Sequence, residues 1–219
     1  MKKYINYIGL AFVALVLFSC GKETFSYPEG QVGISKITNY PEVETKGDHL
    51  TLVNQGSVYT DAGATSTAGG KDIEYKTEGT VNTAVPGVYK ISYTAFNADG
   101  FSAGDFRTVV VIGNNVAAND FSGNYARNTN ASVAKWTKVS NGVYSVFNPG
   151  GAPGTDLTVK IINYEGNKIV IPEQISSDGS ITSSDQESTT PAAGGKLSQY
   201  KMIIVNGGYG PALRTFDKI

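Results

Sequence analysis

The stretch that most restricts the fold follows Pro86-Gly87, where Tyr89, Ile91, Tyr93 and Ala95 alternate with Lys90, Ser92 and Thr94. In an extended chain successive side chains point to opposite faces, so this period of two puts the aromatics on one face and the polar residues on the other. An isolated strand of that kind leaves its apolar face bare, and the chain must supply a second layer to cover it. Arg107 to Ile112 offers a partner whose β-branched run, Val109, Val110 and Val111, suits burial on both faces. Shorter runs at His49 to Val53 and Ile73 to Lys76 precede them, with Asp61-Ala62-Gly63, Ala68-Gly69-Gly70 and Asn97 to Gly100 as turns. Charged residues make up 17% of the chain against roughly 25% in average domains, and 26 glycines crowd the turns. The expectation is an all-β protein.

Three motifs give the first module an identity. VYTDAGA at Val58 to Ala64, GTVNTAVPGVYKISYTAFNADG at Gly79 to Gly100 and RTVVV at Arg107 to Val111 resemble the bacterial Ig-like domain of some pesticidal crystal proteins and many surface proteins. The resemblance implies an Ig-like β-sandwich over 32–113, closing at Gly113, in which these motifs are structural and the role is spacing or adhesion.

The second module is expected over 114–219, entered through the polar hinge Asn114 to Asn119. Strands are predicted at Gly123 to Arg127, Ser132 to Val139, Val143 to Phe147, Leu157 to Tyr164, Lys168 to Ile171, Leu197 to Val205 and Tyr209 to Lys218, with Asn141-Gly142 and Glu165-Gly166-Asn167 as hairpin turns. This is an antiparallel meander, a second sandwich or a barrel-like domain. Ser176 to Gly195, rich in Ser, Thr, Gly and Pro with Ile181 as its one large apolar residue, reads as a long loop. FSGNYAR, NGVYSV and GYGPALRTF resemble a C-terminal β-domain that follows such Ig-like domains in Bacteroidetes surface lipoproteins, which implies glycan handling.

Ahead of both modules, Lys2 and Lys3 and an apolar run from Ile8 to Phe18 form a targeting segment well short of the roughly 20 residues of a spanning helix. The run ends in Leu17-Phe18-Ser19-Cys20, which resembles the lipobox of bacterial lipoproteins. That resemblance implies a signal peptide over 1–19, cleavage between Ser19 and Cys20, a diacylglycerol thioether on the Cys20 sulfur and acylation of the new amine. Acyl chains at about 0.8 kcal/mol per buried CH₂ make a stable anchor when more than one is present. Residues 20–31 then read as lipidated cysteine and flexible tether. Lys22 and Glu23 resemble the surface-export signal of Bacteroidetes lipoproteins, which implies a location at the outer membrane, facing outward.

Charge and titratable groups narrow the function. The 18 basic and 19 acidic side chains become 16 and 19 once Lys2 and Lys3 leave with the signal, so no basic field points to nucleic acid. With Cys20 the single cysteine and His49 the single histidine, no thiol remains for a disulfide or a soft metal, and His49 reads as an exposed strand-end residue. Asp61 and Asp99 lack the acidic companions calcium needs, so neither metal nor cofactor is expected. A glycosidase pair drawn from Asp156, Glu165, Glu173 and Asp178 is the third-ranked reading, since only spatial separation defines such a pair. Sugar recognition needs flat apolar faces beside fixed polar groups. Trp136, flanked by Lys135, Thr137 and Lys138, and Tyr209, among Gly207, Gly208 and Gly210, are the candidate ligand-binding residues; Tyr125, Tyr144, Tyr164 and Tyr200 read as core, and Pro149 to Gly154 as a plain turn. The leading expectation is a non-catalytic surface lipoprotein, anchored through Cys20, whose C-terminal domain binds a polysaccharide or another extracellular ligand. The alternative is a structural or adhesive surface protein that contacts other surface proteins and takes no small ligand.

Overall fold

The computed structural model describes residues 26–28, 31–32 and 35–219. The signal segment, Cys20 and most of the tether lie outside the described residues. The chain divides into two units, Met1–Asn39 and Tyr40–Ile219. In the first, Gln31–Val32 (β1) pairs antiparallel with Ser35–Lys36 (β2).

The second unit opens with β3 (Pro41–Thr45), β4 (Leu50–Asn54), β5 (Ala64–Ala68), β6 (Lys71–Asp72), β7 (Tyr75–Glu78), β8 (Gly87–Phe96) and β9 (Ser102–Ile112). They form a three-stranded sheet in the order β3-β5-β6 and a four-stranded sheet in the order β4-β9-β8-β7. Within the larger sheet β4 runs parallel to β9, from Leu50 opposite Thr108 to Asn54 opposite Ile112. The period-two reading holds: Ile91, Tyr93 and Ala95 are buried while Lys90 is exposed, and Val109, Val110 and Val111 are fully buried. Val53, Ala64, Ile91, Tyr93 and Val109 make the core.

A charged hub explains the Tyr-x-Asp-x-Gly-Ala motif. The Asp61 carboxylate accepts hydrogen bonds from the Tyr59 hydroxyl (2.9 Å), the Tyr93 hydroxyl (2.7 Å) and the Gly63 amide (2.9 Å), with Arg107 Nε 3.4 Å away. Burial alone would raise this carboxyl, but the two phenols, the amide and the guanidinium outweigh it and hold the group below the usual range. The resemblance to structural motifs thus has a physical basis, since two phenols, an amide and a guanidinium converge on one carboxylate.

A 3₁₀ turn, Asn114–Val116, leads onward. The segment expected as a polar hinge is tied down: Val116 is buried and the Asn119 side-chain Nδ2 donates to Asn163 Oδ1 at 2.9 Å. Nine antiparallel strands follow, β10 (Gly123–Arg127), β11 (Val133–Ser140), β12 (Val143–Phe147), β13 (Thr158–Glu165), β14 (Lys168–Val170), β15 (Gln174–Ile175), β16 (Ile181–Ala192), β17 (Lys196–Val205) and β18 (Arg214–Lys218). Their order is β14-β13-β12-β11-β10-β18-β17-β16-β15. The ends of this sheet curl together. The Ile171 amide donates to Ser184 Oγ at 2.7 Å, the Ser184 amide to Ile171 O at 3.1 Å, and the Asn167 side chain to Thr189 Oγ1 at 2.6 Å. The result is barrel-like, closed along this seam largely by side chains.

Two expectations are corrected here. Ser176 to Gly195 is not a long loop, because Ile181–Ala192 is a strand that pairs with β15 at Ile181 and Thr182 and with β17 from Ser183 to Ala192. Its one-sided exposure removes apolar residues, and register shifts between Asp185 and Ser188 and between Thr190 and Pro191 break the period. The last strand is shorter than expected, Arg214–Lys218, with 206–213 forming turns before it.

The barrel interior is aromatic. Phe121, Tyr125, Trp136, Tyr144, Tyr200 and Phe216 belong to one core cluster. A second cluster joins barrel and Ig-like sheet: Val110 and Ile112 of β9, Val116, Val143 of β12 and Ile162 of β13. Gly142 stands at this contact with φ +70°, where a Cβ would lie 2.4 Å from Asn163 O and 2.9 Å from an Ile112 methyl. Glycine is required there by both backbone and space.

Candidate functional site

At the junction of the Ig-like sheets and the barrel lies an open groove of about 610 Å³. One wall is the turn into β4, Gly47-Asp48-His49, followed by Leu50 and Leu52 and by Asp105 and Phe106 of β9. The other wall is Lys160, Glu173, Gln174, Ile175 and Ile181 of the barrel. The barrel wall is held by Gln174, whose side chain accepts from the Lys160 amide (2.7 Å) and donates to the Lys160 carbonyl (2.8 Å). Ile175 (76% exposed) and Ile181 (64%) present bare aliphatic surface to solvent. That surface, set among charged and amide groups, is the composition of a ligand site more than of a core edge.

The polar wall is organised around Asp105. Its carboxylate accepts from the Thr45 and Phe106 amides, each at 2.8 Å, and its Oδ1 lies 3.6 Å from His49 Nδ1. Burial would raise this carboxyl, yet the donated hydrogen bonds and the neighbouring imidazole prevail and keep it ionised below its usual range. His49 Nδ1 also sits 3.0 Å from the Phe106 carbonyl. A carbonyl only accepts, so Nδ1 carries a proton in that contact. Hydrogen bonding to ligand hydroxyls is the chemistry this wall supports best.

Beside it lies a smaller hollow of about 260 Å³, lined among others by Val88, Lys90, Phe106, Thr108, Glu173 and Ser183. Lys90 Nζ is 3.8 Å from the Phe106 ring centroid.

The residues singled out from sequence fare unevenly. Trp136 is 2% exposed and packs between Tyr125, Tyr144 and Tyr200 at centroid distances of 5.7, 5.5 and 5.0 Å. It is a core residue, not a platform. Lys135 and Thr137, which make its surroundings polar in sequence, are its neighbours on the outward face of β11, so alternation itself produced the misleading pattern. Tyr209 is half-buried at the barrel end, with the Arg214 guanidinium 5.0 Å from its ring centroid. Gly150 lies so close that a Cβ would meet the Tyr209 ring at 2.1 Å. Pro149 to Gly154 is a turn, as expected, with Pro149, Gly150 and Gly151 buried, the Gly151 carbonyl accepting from Arg127 and Asn130, and Pro153 and Gly154 exposed. Of the four scattered carboxylates only Glu173 reaches the groove; Glu165 pairs with Lys168 at 2.7 Å and Asp178 accepts from Ser180. Among the described residues, no group of three His, Cys, Asp or Glu side chains is placed to hold a metal ion. His49, read as a strand-end residue, and Phe106 and Ile175, not singled out at all, line the groove. Ile181 carried the one visible signal, a large apolar residue in an otherwise polar stretch.

Fold and junction together describe an Ig-like module joined to an antiparallel barrel, and comparison with known proteins agrees for the first part. Residues 43–111 match the family described as bacterial surface protein, Ig-like domain. No curated protein matches the chain. Among solved structures, the chain is similar to the lipoprotein BT2262 from Bacteroides thetaiotaomicron, at 20% identity and a TM-score of 0.35, covering 82% of this chain and 100% of that one. It is also similar to a structure of the M60 catalytic domain with the CBM51-1 and CBM51-2 domains of Clostridium perfringens ZmpB, at 10% identity and a TM-score of 0.29, covering 84% of this chain and 23% of that one. Likenesses at these scores bear on neither mechanism nor ligand.

Proposed function

We propose that the chain is a non-catalytic protein of the bacterial cell surface, anchored in the outer membrane through lipid on Cys20, that binds a glycan in the junction groove. The observation that carries the reading is the lining of the groove, where exposed Ile175, Ile181 and Leu52 stand beside Asp48, His49, Lys160 and Gln174. Sugars offer C–H faces and hydroxyls together, and this mixture meets both. The Ig-like module is then more than a spacer, since it supplies one wall. A second reading, a protein-contacting surface subunit, draws on exposed aromatics at the Ig-like end: Tyr40 (63%), Phe101 (45%) and Phe96 (59%), the first two with ring centroids 4.9 Å apart.

The test has two parts. Cys20→Ala is expected to release the protein from membranes and abolish acyl labelling; unchanged detergent partitioning would overturn the anchor. The chain from Gly21 onward is expected to be retained by a polysaccharide in an affinity-gel or glycan-array screen, and Ile175→Asp to abolish retention. Failure of every glycan, with capture of a surface protein through Tyr40 and Phe101 instead, would favour the second reading.

A further inference from the structure

We infer that the groove is part of a longer open trench and that its ligand is an uncharged linear polysaccharide lying along the junction, an inference that rests on the glycan reading above. Phe106 and Glu173 line both the 610 Å³ and the 260 Å³ hollows, so the two spaces meet at this pair. Each hollow repeats the same kind of lining. In the larger, Leu52, Ile175 and Ile181 adjoin Asp48, Lys160 and Gln174. In the smaller, Val88, Tyr89 and Pro172 adjoin Lys90, Thr108 and Ser183. A site that captured one sugar end would concentrate its polar groups at a closed terminus, whereas this path offers apolar and hydrogen-bonding groups throughout its length. A repeating polymer matches a repeating lining.

Charge selects among polymers. Asp48, Asp105 and Glu173 share the lining with Lys90 and Lys160, so the trench presents no field of one sign, and a polyanion would meet three carboxylates against two ammonium groups. Phe106 is the aromatic at the middle of the path, with one ring face covered by Lys90 Nζ at 3.8 Å. An aromatic at that point can stack on one unit of the chain while both hollows hold its neighbours.

The experiment is titration calorimetry on the chain from Gly21 onward with size series of neutral β-glucan and mannan oligosaccharides, and with polygalacturonate as the acidic arm. Affinity for the neutral series is expected to rise with oligomer length and then level off. Val88→Asp, at an exposed position of the smaller hollow, is expected to weaken long oligomers about 5-fold or more and leave the shortest unchanged. Phe106→Ala is expected to weaken all of them by at least about 5-fold, the lower bound of an aromatic stacking contact. Val88→Asp keeps the test informative where Phe106→Ala disturbs the fold, since Val88 is 45% exposed. Affinity independent of length, or Val88→Asp without effect, would overturn the trench while leaving the groove reading intact. Preference for polygalacturonate would overturn the neutral class. Absence of binding by every polysaccharide would remove the groove reading and this inference with it.

Discussion

Asp61 serves two phenols, one amide and one guanidinium, and Arg107 beside it has only 6% of its side chain exposed. Removing the carboxylate in Asp61→Ala leaves that buried cation uncompensated. Such a loss costs about 3 to 5 kcal/mol, and the low end applies here because the Asp61 side chain is itself 24% exposed. Urea denaturation measures it directly. The same hub fixes the pH response. The folded-state carboxyl lies below its unfolded value of about 3.9, so its contribution is present above that value and is lost as pH falls through the folded one. Acid unfolding is therefore expected to set in below about pH 4 and to be blunted in Asp61→Asn. On the alkaline side burial, with the Asp61 hydrogen bond, pushes the Tyr93 phenol up to about 12. Its contribution is complete below the unfolded phenol value of about 10 and is lost as pH climbs beyond it. At this scale the sequence was legible where a motif had one physical role, as with Tyr59, Asp61 and Gly63. It was illegible at Trp136, where polar flanks are equally the mark of a surface ring and of an inward ring on an alternating strand.

At the scale of the element, strands with a buried apolar face announced themselves. β10 and β12 match their expected bounds at both ends, β8 runs from Gly87 to Phe96 around the expected alternation, and β9 ends at the expected Ile112 but begins at Ser102, ahead of the expected Arg107. β5, reading Ala-Thr-Ser-Thr-Ala, and β16 did not, because β5 buries only small or polar side chains, Ala64 and Ser66, and β16 bulges repeatedly, so neither shows an apolar period. The same gap hid half of the groove, since Ile175 and Ile181 belong to β15 and β16. β16 nonetheless closes the barrel, and Ser184 is the point to test. Ser184→Ala deletes the acceptor of the Ile171 amide. Orphaning a buried donor costs about 1 to 3 kcal/mol. Hydrogen exchange should quicken at Ile171 and along the β14–β16 seam while Tyr125 and Trp136 in the interior keep their protection; uniform acceleration across the barrel would mean that the seam is no weaker than the rest.

For the whole molecule the decisive feature is the cluster shared between the two modules. Val110 and Val116 are at most 1% exposed, and Ile112, Val143 and Ile162 complete the same apolar patch. Backbone ties reinforce it, with the Gly113 amide donating to Tyr164 O at 2.8 Å and the Asn114 amide to Gln55 Oε1 at 3.2 Å. Read from sequence, Asn114 to Asn119 suggested two bodies joined by a hinge, because polarity marks a linker and a satisfied polar turn alike. Apolar residues held in common argue for coupling, since separating the modules would expose all five of them to water at about 25 cal/mol per Å² of apolar surface. It would also open the groove, whose walls come from both sides of that patch. A charge at the centre of the cluster distinguishes coupled from independent folding. Ile162→Asp, on β13, is expected to lower the melting temperature of the Ig-like strands together with the barrel in one transition, followed by exchange protection in β8 and in β12. A barrel transition that falls while the β8 amides stay protected would show two bodies that fold apart and meet only afterwards.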